Sequence, residues 1–500
     1  MTEEIERQRS ATDPAPLFQY PVTADLYKHQ IRGANMAMAA LGFTETKKNT
    51  QGGFALFMEM GCGKTITSIA VAGQAYKMGK VTRLLIVAPA SVCFVWETEF
   101  SAYAGFPNVV RQLTGTHGKR VEGLDAITND RSNALKVAVI NYESVWRLIR
   151  EIWKWNPQMV IADESQRIKT HDAKQSRAMH MLGDKAKYKL ALSGTPIQNQ
   201  AIDIFSQYRF LDARIFGFNY YSFRSRYARM GGFNNRQIVG YKNLQELKDK
   251  TKAISYRVTK AEALDLPEQV FETRPLKFSD LERRVYNELS RTSCAELKRG
   301  ESVTATMVLT KLLRLQQMTG GFTVIDETKE IKTVNTHKID ALTDILIDWK
   351  DTGKKLVVFA RFTAEITAIE KRLEALRIQY RCLSGKTPTE ARAEYIKDFQ
   401  TNPYVTVFLA QIQTAGLGVT LTAADTAVYF SMDFNYANYS QSLARIHRIG
   451  QRNQCTYINL VVKDSIDEKV LDAMRAKKSL ADFIMDDWQS FFSTLEGSIE

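Results

Sequence analysis

Five hundred residues are too many for one ordinary core and suit two domains of roughly 200 to 250 residues each. With 44% apolar and 25% charged residues the composition is that of a soluble globular chain, and no stretch approaches the ~18 uninterrupted apolar residues of a membrane-spanning helix. The five cysteines, Cys62, Cys93, Cys294, Cys382 and Cys455, are odd in number and widely spaced, which excludes a disulfide framework and a Cys/His zinc site, while the net charge of +13 favours an anionic partner.

The opening MTEEIERQRS is acidic and polar where a secretory signal is basic and then apolar, so an intracellular, cytoplasmic location is expected, with residues 1–20 as a tail. Short apolar runs rich in β-branched residues then recur, the pattern of buried parallel strands. In the first half they are Phe54 to Phe57, Leu84 to Ala88, Val137 to Ile140, Met159 to Ala162 and Leu190 to Leu192. The first leads into Met58-Glu59-Met60-Gly61-Cys62-Gly63-Lys64-Thr65 and the helix-compatible ITSIAVAGQAY. Strand, glycine loop and helix N-terminus together aim backbone N–H groups and a positive dipole end at one point. There Lys64 can reach the β- and γ-phosphates of a nucleotide and Thr65 can bind Mg²⁺. Met58 stands where the strict phosphate-loop pattern has its first glycine, so the loop is a variant. At the end of the run MVIA come Asp163 and Glu164, at the carboxyl end of a buried strand where open α/β sheets place ligand groups. Asp163 is assigned to Mg²⁺ and Glu164 to the attacking water.

Between Phe205 and Lys260 twelve Lys or Arg residues face only Asp212, Glu246 and Asp249, which concentrates nine of the thirteen net positive charges in one segment with twelve aromatics. Such a segment can track a phosphate backbone and pack on sugars or bases, and Arg224, Arg226, Arg229 and Arg236 are its candidate contacts. The alternative is an aromatic core under a solvated charged face. The interval from about 200 to 340 lacks the strand rhythm and reads mostly helical, as in Ser279 to Leu289 and Met307 to Gln317. A boundary is expected near Leu266-Pro267, because proline restricts the residue before it. The second half supplies strands at Leu356 to Phe359, Val405 to Leu409, Ala427 to Phe430 and Tyr457 to Val462, and an amphipathic helix from Ala364 to Leu376. Gln441 to Gln451, QSLARIHRIGQ, places Arg445 and Arg448 three residues apart, far along the chain from the phosphate loop. Permanently charged and able to fork onto phosphate, such a pair suits sensing of a γ-phosphate. The fold class is α/β, two parallel-sheet domains with a helical insertion between them. Residues after Asp486 are expected as a second tail.

With these residues in place, the chain resembles the SWI/SNF-like ATPases of helicase superfamily two from Leu26 to about Met485. Leu26-Tyr27-Lys28-His29-Gln30 is similar to the family's adenine-recognition motif, which implies that His29 and Gln30 line the base site. Met60, Gly61, Cys62, Gly63, Lys64 and Thr65 fall on its phosphate loop, with Cys62 where leucine is usual. LLIVAPASVCFVWETEF resembles a DNA-contacting motif and brings in Pro89. Asp163-Glu164-Ser165-Gln166 stands at the DExx box, with Ser-Gln where Ala-His or Gly-His is commoner. LSGTPIQN, Leu192 to Asn199, resembles the motif that couples hydrolysis to DNA. VVFARF and Leu383-Ser384-Gly385 resemble early motifs of the second lobe and bring in Arg361 as a nucleic-acid contact. Ala415 to Thr422 resembles the loop touching both DNA and nucleotide, which implies Thr414 and Gly416 on DNA and Gly418 on nucleotide. QSLARIHRIGQ is the closest match, and by it Arg445 and Arg448 are arginine fingers donated to the γ-phosphate.

The resemblance implies two RecA-like lobes with helical protrusions: lobe one over 21–267, with the basic insertion at about 200–260, and lobe two over 268–485, with a protrusion at about 275–335. YARMGGFNNRQIVGYKNLQEL, Tyr227 to Leu247, is closer to the annealing-helicase branch than to the nucleosome-sliding branch. The implied activity is that of a DNA-dependent ATPase, using ATP and Mg²⁺ to translocate on double-stranded or branched DNA and act on proteins bound there, as a monomer and away from membranes. Rival readings are a strand-separating helicase or restriction-system motor, an ATP-binding DNA scaffold without turnover, and action on RNA.

Overall fold

The computed structural model describes residues 2–44, 52–90, 92–197, 200–231, 237–299, 305–325, 328, 330–414 and 419–476. The chain forms two compact units, Met1–Asp265 and Leu266–Glu500.

In the first unit, strands β1 (Gly52–Met58), β2 (Arg83–Ala88), β3 (Asn108–Gln112), β4 (Leu135–Asn141), β5 (Met159–Asp163) and β6 (Tyr188–Leu192) precede a hairpin of β7 (Ala228–Gly231) and β8 (Gln237–Tyr241). A last strand, β9 (Ser255–Val258), follows. All but the hairpin join one sheet in the order β3-β4-β2-β5-β6-β1-β9. Its pairings are parallel throughout. The central strands are apolar on both faces because helices cover both, so β1 and β5 are buried along their whole length. Helix α1 (Thr2–Ser10) lies against α2 (Lys28–Ala40); α3 (Lys64–Lys77) follows the phosphate loop and α4 (Cys93–Tyr103) follows β2. Residues expected as an N-terminal tail thus include a packed helix. Ile5 is 1% exposed, and Gln8 accepts a hydrogen bond from Asn35 Nδ2 at 2.8 Å.

The second unit contains β10 (Gln269–Leu276), a small hairpin of β11 (Phe322–Val324) and β12 (Ile331–Thr333), then β13 (Lys355–Ala360), β14 (Tyr380–Leu383), β15 (Val407–Gln411), β16 (Ala424–Tyr429) and β17 (Cys455–Val462). The six-stranded sheet runs β10-β17-β16-β13-β15-β14, again parallel. Alternation along β13 shows how its two faces are filled: Val357 and Phe359 join one apolar cluster, Leu356, Val358 and Ala360 the other. The two expected α/β sheets are present.

Among its described residues, the interval read as mostly helical from 200 to 340 holds six strands besides its helices, among them β9 and β10, each at an edge of one sheet. The helix Asp280–Arg299 and the helix Ala305–Thr319 account for the helical signal. Residues 486–500, expected as a tail, lie outside the described residues. No helix among the described residues is long and apolar enough to cross a membrane.

Candidate nucleotide site and nucleic-acid contacts

Strands β5, β6 and β1 are neighbours in the sheet, and three candidate segments leave their carboxyl ends. The loop after β1 turns on Gly61 and Gly63, with φ of 90° and 81°. Glycine is required twice over at Gly63, since a Cβ there would sit 2.1 Å from Gln30 Nε2. Met58, where the strict pattern has glycine, is the buried last residue of β1. Its carbonyl accepts from Lys64 Nζ at 2.9 Å, so the variant loop begins one residue later, and Lys64 is held at its mouth. Lys64 and Thr65 are half-buried, the first turn of α3 remaining open to a ligand.

Two side chains from the start of α2 grip this loop. His29 Nε2 lies 2.8 Å from the Cys62 carbonyl, which can only accept, so Nε2 carries the proton. Burial pushes the His29 pKa down, keeping the ring neutral. Gln30 Nε2 donates to the same carbonyl at 3.2 Å while its Oε1 accepts from Tyr27 N–H at 3.0 Å. One amide hydrogen and one lone pair of Gln30 are left, the pair needed to read the edge of an adenine.

At the end of β5, Asp163 is 8% exposed. Its Oδ2 accepts from Trp96 Nε1 at 3.1 Å, and its Oδ1 from the backbone N–H of Glu164 at 2.9 Å. Burial, reinforced by the neighbouring Glu164 charge and opposed by Lys64, pushes its pKa well above the ordinary carboxylate range. Glu164 takes a left-handed backbone, φ 49°, a strained conformation for a non-glycine residue of the sort that functional sites retain. Among the described residues no three His, Cys, Asp or Glu side chains form a metal cage. A single carboxylate and a hydroxyl with nucleotide phosphates suit Mg²⁺, which keeps several waters.

Glu164 is also the start of a hydrogen-bonded relay that the sequence reading missed. Gln166 Nε2 donates to Glu164 Oε2 at 2.7 Å, and Gln166 Oε1 accepts from Ser193 Oγ at 2.7 Å. Ser193 Oγ in turn accepts from the Thr195 backbone N–H at 3.0 Å. In parallel, Ser165 Oγ donates to Gln207 Oε1 at 2.7 Å and Gln207 Nε2 to the Pro196 carbonyl at 2.6 Å. The segment after β6 is therefore tied to the carboxylates. It also touches the phosphate loop, since a Cβ on Gly194 would lie 3.1 Å from Met60 Cγ. The one sequence signal was Ser-Gln in place of the commoner pair after Asp163-Glu164.

In the second unit, Arg445 and Arg448 lie in turns after the helix Tyr436–Leu443 rather than on a helix face. Nη1 of each is 3.4 Å from the same Val419 carbonyl, so the two guanidinium groups converge although Arg445 is 5% exposed. His447 Nε2 lies 2.9 Å from the Pro267 carbonyl, a structural contact. Gly416 and Gly418, expected on DNA and nucleotide, fall outside the described residues; Thr414 closes a turn onto the Gln411 carbonyl at 2.8 Å.

A family model of the SNF2-related domain matches residues 29–344, well over half of the chain. The chain belongs to the SNF2-related family. A model of the helicase conserved C-terminal domain matches residues 337–450 of this SNF2-related protein. An uncharacterized ATP-dependent helicase of Mycoplasma genitalium is 24% identical over 90% of the chain and 42% of its own length. The DNA repair and recombination protein RAD54-like of Drosophila persimilis is 25% identical over 97% and 67%. The SNF2-related chain thus spans less than half the length of the Mycoplasma relative. Among solved structures, the Sulfolobus solfataricus SWI2/SNF2 ATPase core in complex with dsDNA aligns over 97% of both chains at 24% identity with a TM-score of 0.44.

The candidate nucleic-acid contacts of the SNF2-related chain divide sharply. Pro89 is buried, and its carbonyl accepts from the N–H groups of Val92 and Cys93. Arg361 is largely internal: Nη1 donates to Gln316 Oε1 at 2.6 Å, the guanidinium lies 3.9 Å from the Phe434 ring centre, and Asp433 is 3.9 Å away. In the basic stretch Arg226 forks onto Glu246, with contacts of 2.8 to 3.0 Å. Arg224 lies 5.2 Å from the centre of the exposed Tyr221 ring, and Arg229 is exposed on β7. Arg236 is outside the described residues. Phe205, Phe223 and Tyr227 are core, whereas Phe218 and Tyr221 are exposed, so both readings of this segment hold for different residues.

Proposed function

We propose that this protein is a DNA-dependent ATPase that translocates along double-stranded DNA and remodels branched DNA or strips proteins from it. The observation that carries the reading is the junction of three segments at the carboxyl ends of β1, β5 and β6, where Lys64, Asp163, Glu164 and Ser193 gather on one side of the sheet. Backbone N–H groups and Lys64 bind the phosphates of ATP, and Thr65 with Asp163 holds Mg²⁺, which supplies charge neutralisation to the transferring phosphoryl group. Glu164, kept in place by Gln166, orients the attacking water and takes up its proton. Arg445 and Arg448 stabilise charge developing on the γ-phosphate. Membership of the SNF2-related family and the wording of the relatives' names, ATP-dependent helicase and DNA repair and recombination protein, support DNA as the partner. Half-buried Arg224 with exposed Arg229 and Tyr221 are the contacts favoured on this surface.

Phosphate release measured with duplex, single-stranded, forked and RNA cofactors side by side tests the reading. Stimulation by duplex DNA is expected, with triplex displacement but no unwinding of a forked duplex. Unwinding instead of displacement would make it a strand-separating helicase. Absence of stimulation by any DNA would refute the proposal.

A further inference from the structure

Two aromatic residues open the helix Tyr220–Tyr227, and its cap pins the backbone there, since Asn219 Oδ1 accepts from the N–H groups of Tyr221 and Ser222 at 2.8 and 3.1 Å. Phe223 and Tyr227, one turn apart, point inward and are buried. At about 100° per residue Tyr221 falls on the opposite side of the helix from Phe223, and it is 63% exposed. The exposed ring is nonetheless braced. The Tyr220 ring lies 5.8 Å from it and the His171 ring 6.1 Å, with interplanar angles of 69° and 84°, both edge-to-face contacts. His171 and Tyr220 are themselves stacked, 3.8 Å between centres and 15° from parallel, and Tyr220 meets the buried Phe205 ring at 5.5 Å. A line of rings therefore runs from the core of the first unit to the surface and ends at Tyr221. His171 comes from the turn between the short helix Ser165–Ile168 and the helix Lys174–Lys185, so the stack joins two segments distant in the sequence.

Arg224, one turn along from Tyr220 and Tyr221, places its guanidinium 5.2 Å from the centre of the Tyr221 ring and 6.0 Å from that of Tyr220. A cation so placed can meet a backbone phosphate while the ring beside it takes the base. Around His171 the chain carries Lys169, Lys174 and Arg177 against Asp172, so the charge is again mostly positive. That setting favours a nucleic acid over an apolar protein surface as the partner of the ring. Within a continuous duplex each base is covered on both faces by its neighbours, which leaves Tyr221 nothing to stack on. A base left unpaired at a bulge, gap or branch point offers a free face, and stacking on an aromatic ring tolerates any base.

We infer that Tyr221, braced by His171 and Tyr220 and flanked by Arg224, is a stacking site for an unpaired base, by which the protein selects interrupted or branched DNA over continuous duplex. The inference rests on the proposed action on DNA and names the form of DNA selected. Tyr221 makes the contact, and His171 is a positioning residue that acts through the rings it holds.

The test is equilibrium binding of the full chain, followed by fluorescence anisotropy, to DNAs of the same length and ends: a continuous duplex, the duplex with a single bulged adenine, and the same bulge made abasic. The parent is expected to bind the bulged duplex about tenfold more tightly than the continuous one, and the abasic bulge no better than the continuous one. The preference is expected to vanish in Tyr221→Ala, to persist in Tyr221→Trp and to be reduced in His171→Ala. With 2-aminopurine as the bulged base, the parent should quench its fluorescence and Tyr221→Ala should not. Equal affinity of the parent for bulged and continuous duplexes overturns the inference. So does an equal preference for the abasic bulge, which would trace selectivity to the flexibility of the DNA, and so does a preference unchanged in Tyr221→Ala, which would leave the ring to a protein partner. Phosphate release with the same DNAs keeps the two readings apart: a bulge preference without any stimulation refutes the DNA-dependent ATPase alone, and stimulation without a bulge preference refutes the stacking site alone.

Discussion

Glu164 and Gln166 show how much of the chemistry depends on single side chains held by neighbours. Glu164→Gln is expected to lower ATP turnover by a hundredfold or more while nucleotide affinity stays near that of the parent, measured by phosphate release and by equilibrium binding. Near-normal turnover would remove Glu164 from the reaction. Gln166→Ala leaves Glu164 present but unheld, so kcat should drop about tenfold with KM little changed, the pattern of a lost interaction made in the transition state. Because glutamine does not titrate, this relay adds no ionisation of its own to the pH profile. An unchanged kcat in Gln166→Ala would reduce the relay to packing.

Elements differ in how they present charge, and two consequences follow from that. His180, on the helix Lys174–Lys185, is hydrogen-bonded to Ser206 and near Arg209, Asp184 and His171; burial first, then the Arg209 charge, lowers its pKa to about 4. In the unfolded chain the ring has its ordinary pKa near 6.5, so from there down to about 4 only the unfolded state takes the proton. Stability is fully present above that window and falls as pH drops through it, by about 2 kcal/mol between pH 7 and 5. Denaturant unfolding at the two pH values should show this loss in the parent and much less of it in His180→Gln. In the basic stretch, Arg226 is already paired with Glu246, whereas Arg224 and Arg229 carry no such fork among the described residues. Arg224→Ala with Arg229→Ala should weaken DNA-stimulated turnover and flatten its salt dependence, and Arg226→Ala should do so less. Equal effects of all three would mean that the Glu246 pairing does not persist on DNA.

The strands absent from the sequence reading are β3, β9, β10 and β14 with the two small hairpins, and the first four are the edge strands of the two large sheets. An edge strand has one side in solvent and carries charged or proline residues there, so its apolar run is broken. In β10, QVFETRPL, most residues are exposed, and Pro275, which has no N–H, is tolerated because the strand has one free edge. Interior strands such as β1 and β5 are covered on both faces and were legible as continuous apolar runs.

For the whole molecule, the phosphate loop and carboxylates belong to one unit and Arg445 with Arg448 to the other. On the proposed reading, in which duplex DNA stimulates hydrolysis, turnover is expected to be low without DNA, measured as phosphate release with and without duplex. Arg448→Ala should reduce DNA-stimulated hydrolysis about a thousandfold with ATP and DNA binding largely retained, checked by phosphate release beside binding isotherms. Turnover near the parent level would refute the finger role.

Sequence by itself determined the two parallel sheets, the phosphate loop after β1 and the carboxylates after β5, because buried strands need unbroken apolar runs and a phosphate loop needs glycines at fixed steps from lysine. Only the tertiary structure decided which candidate side chains face outward and which are engaged within the protein. Pro89 and Arg361 turned out internal and Arg226 paired, while Gln166, Ser193 and Thr195, distant in sequence from one another or from Glu164, were drawn into one line of hydrogen bonds. Periodicity reports burial along a chain, but partners across strands depend on sheet order, and β6 lying between β5 and β1 is what brought these residues together.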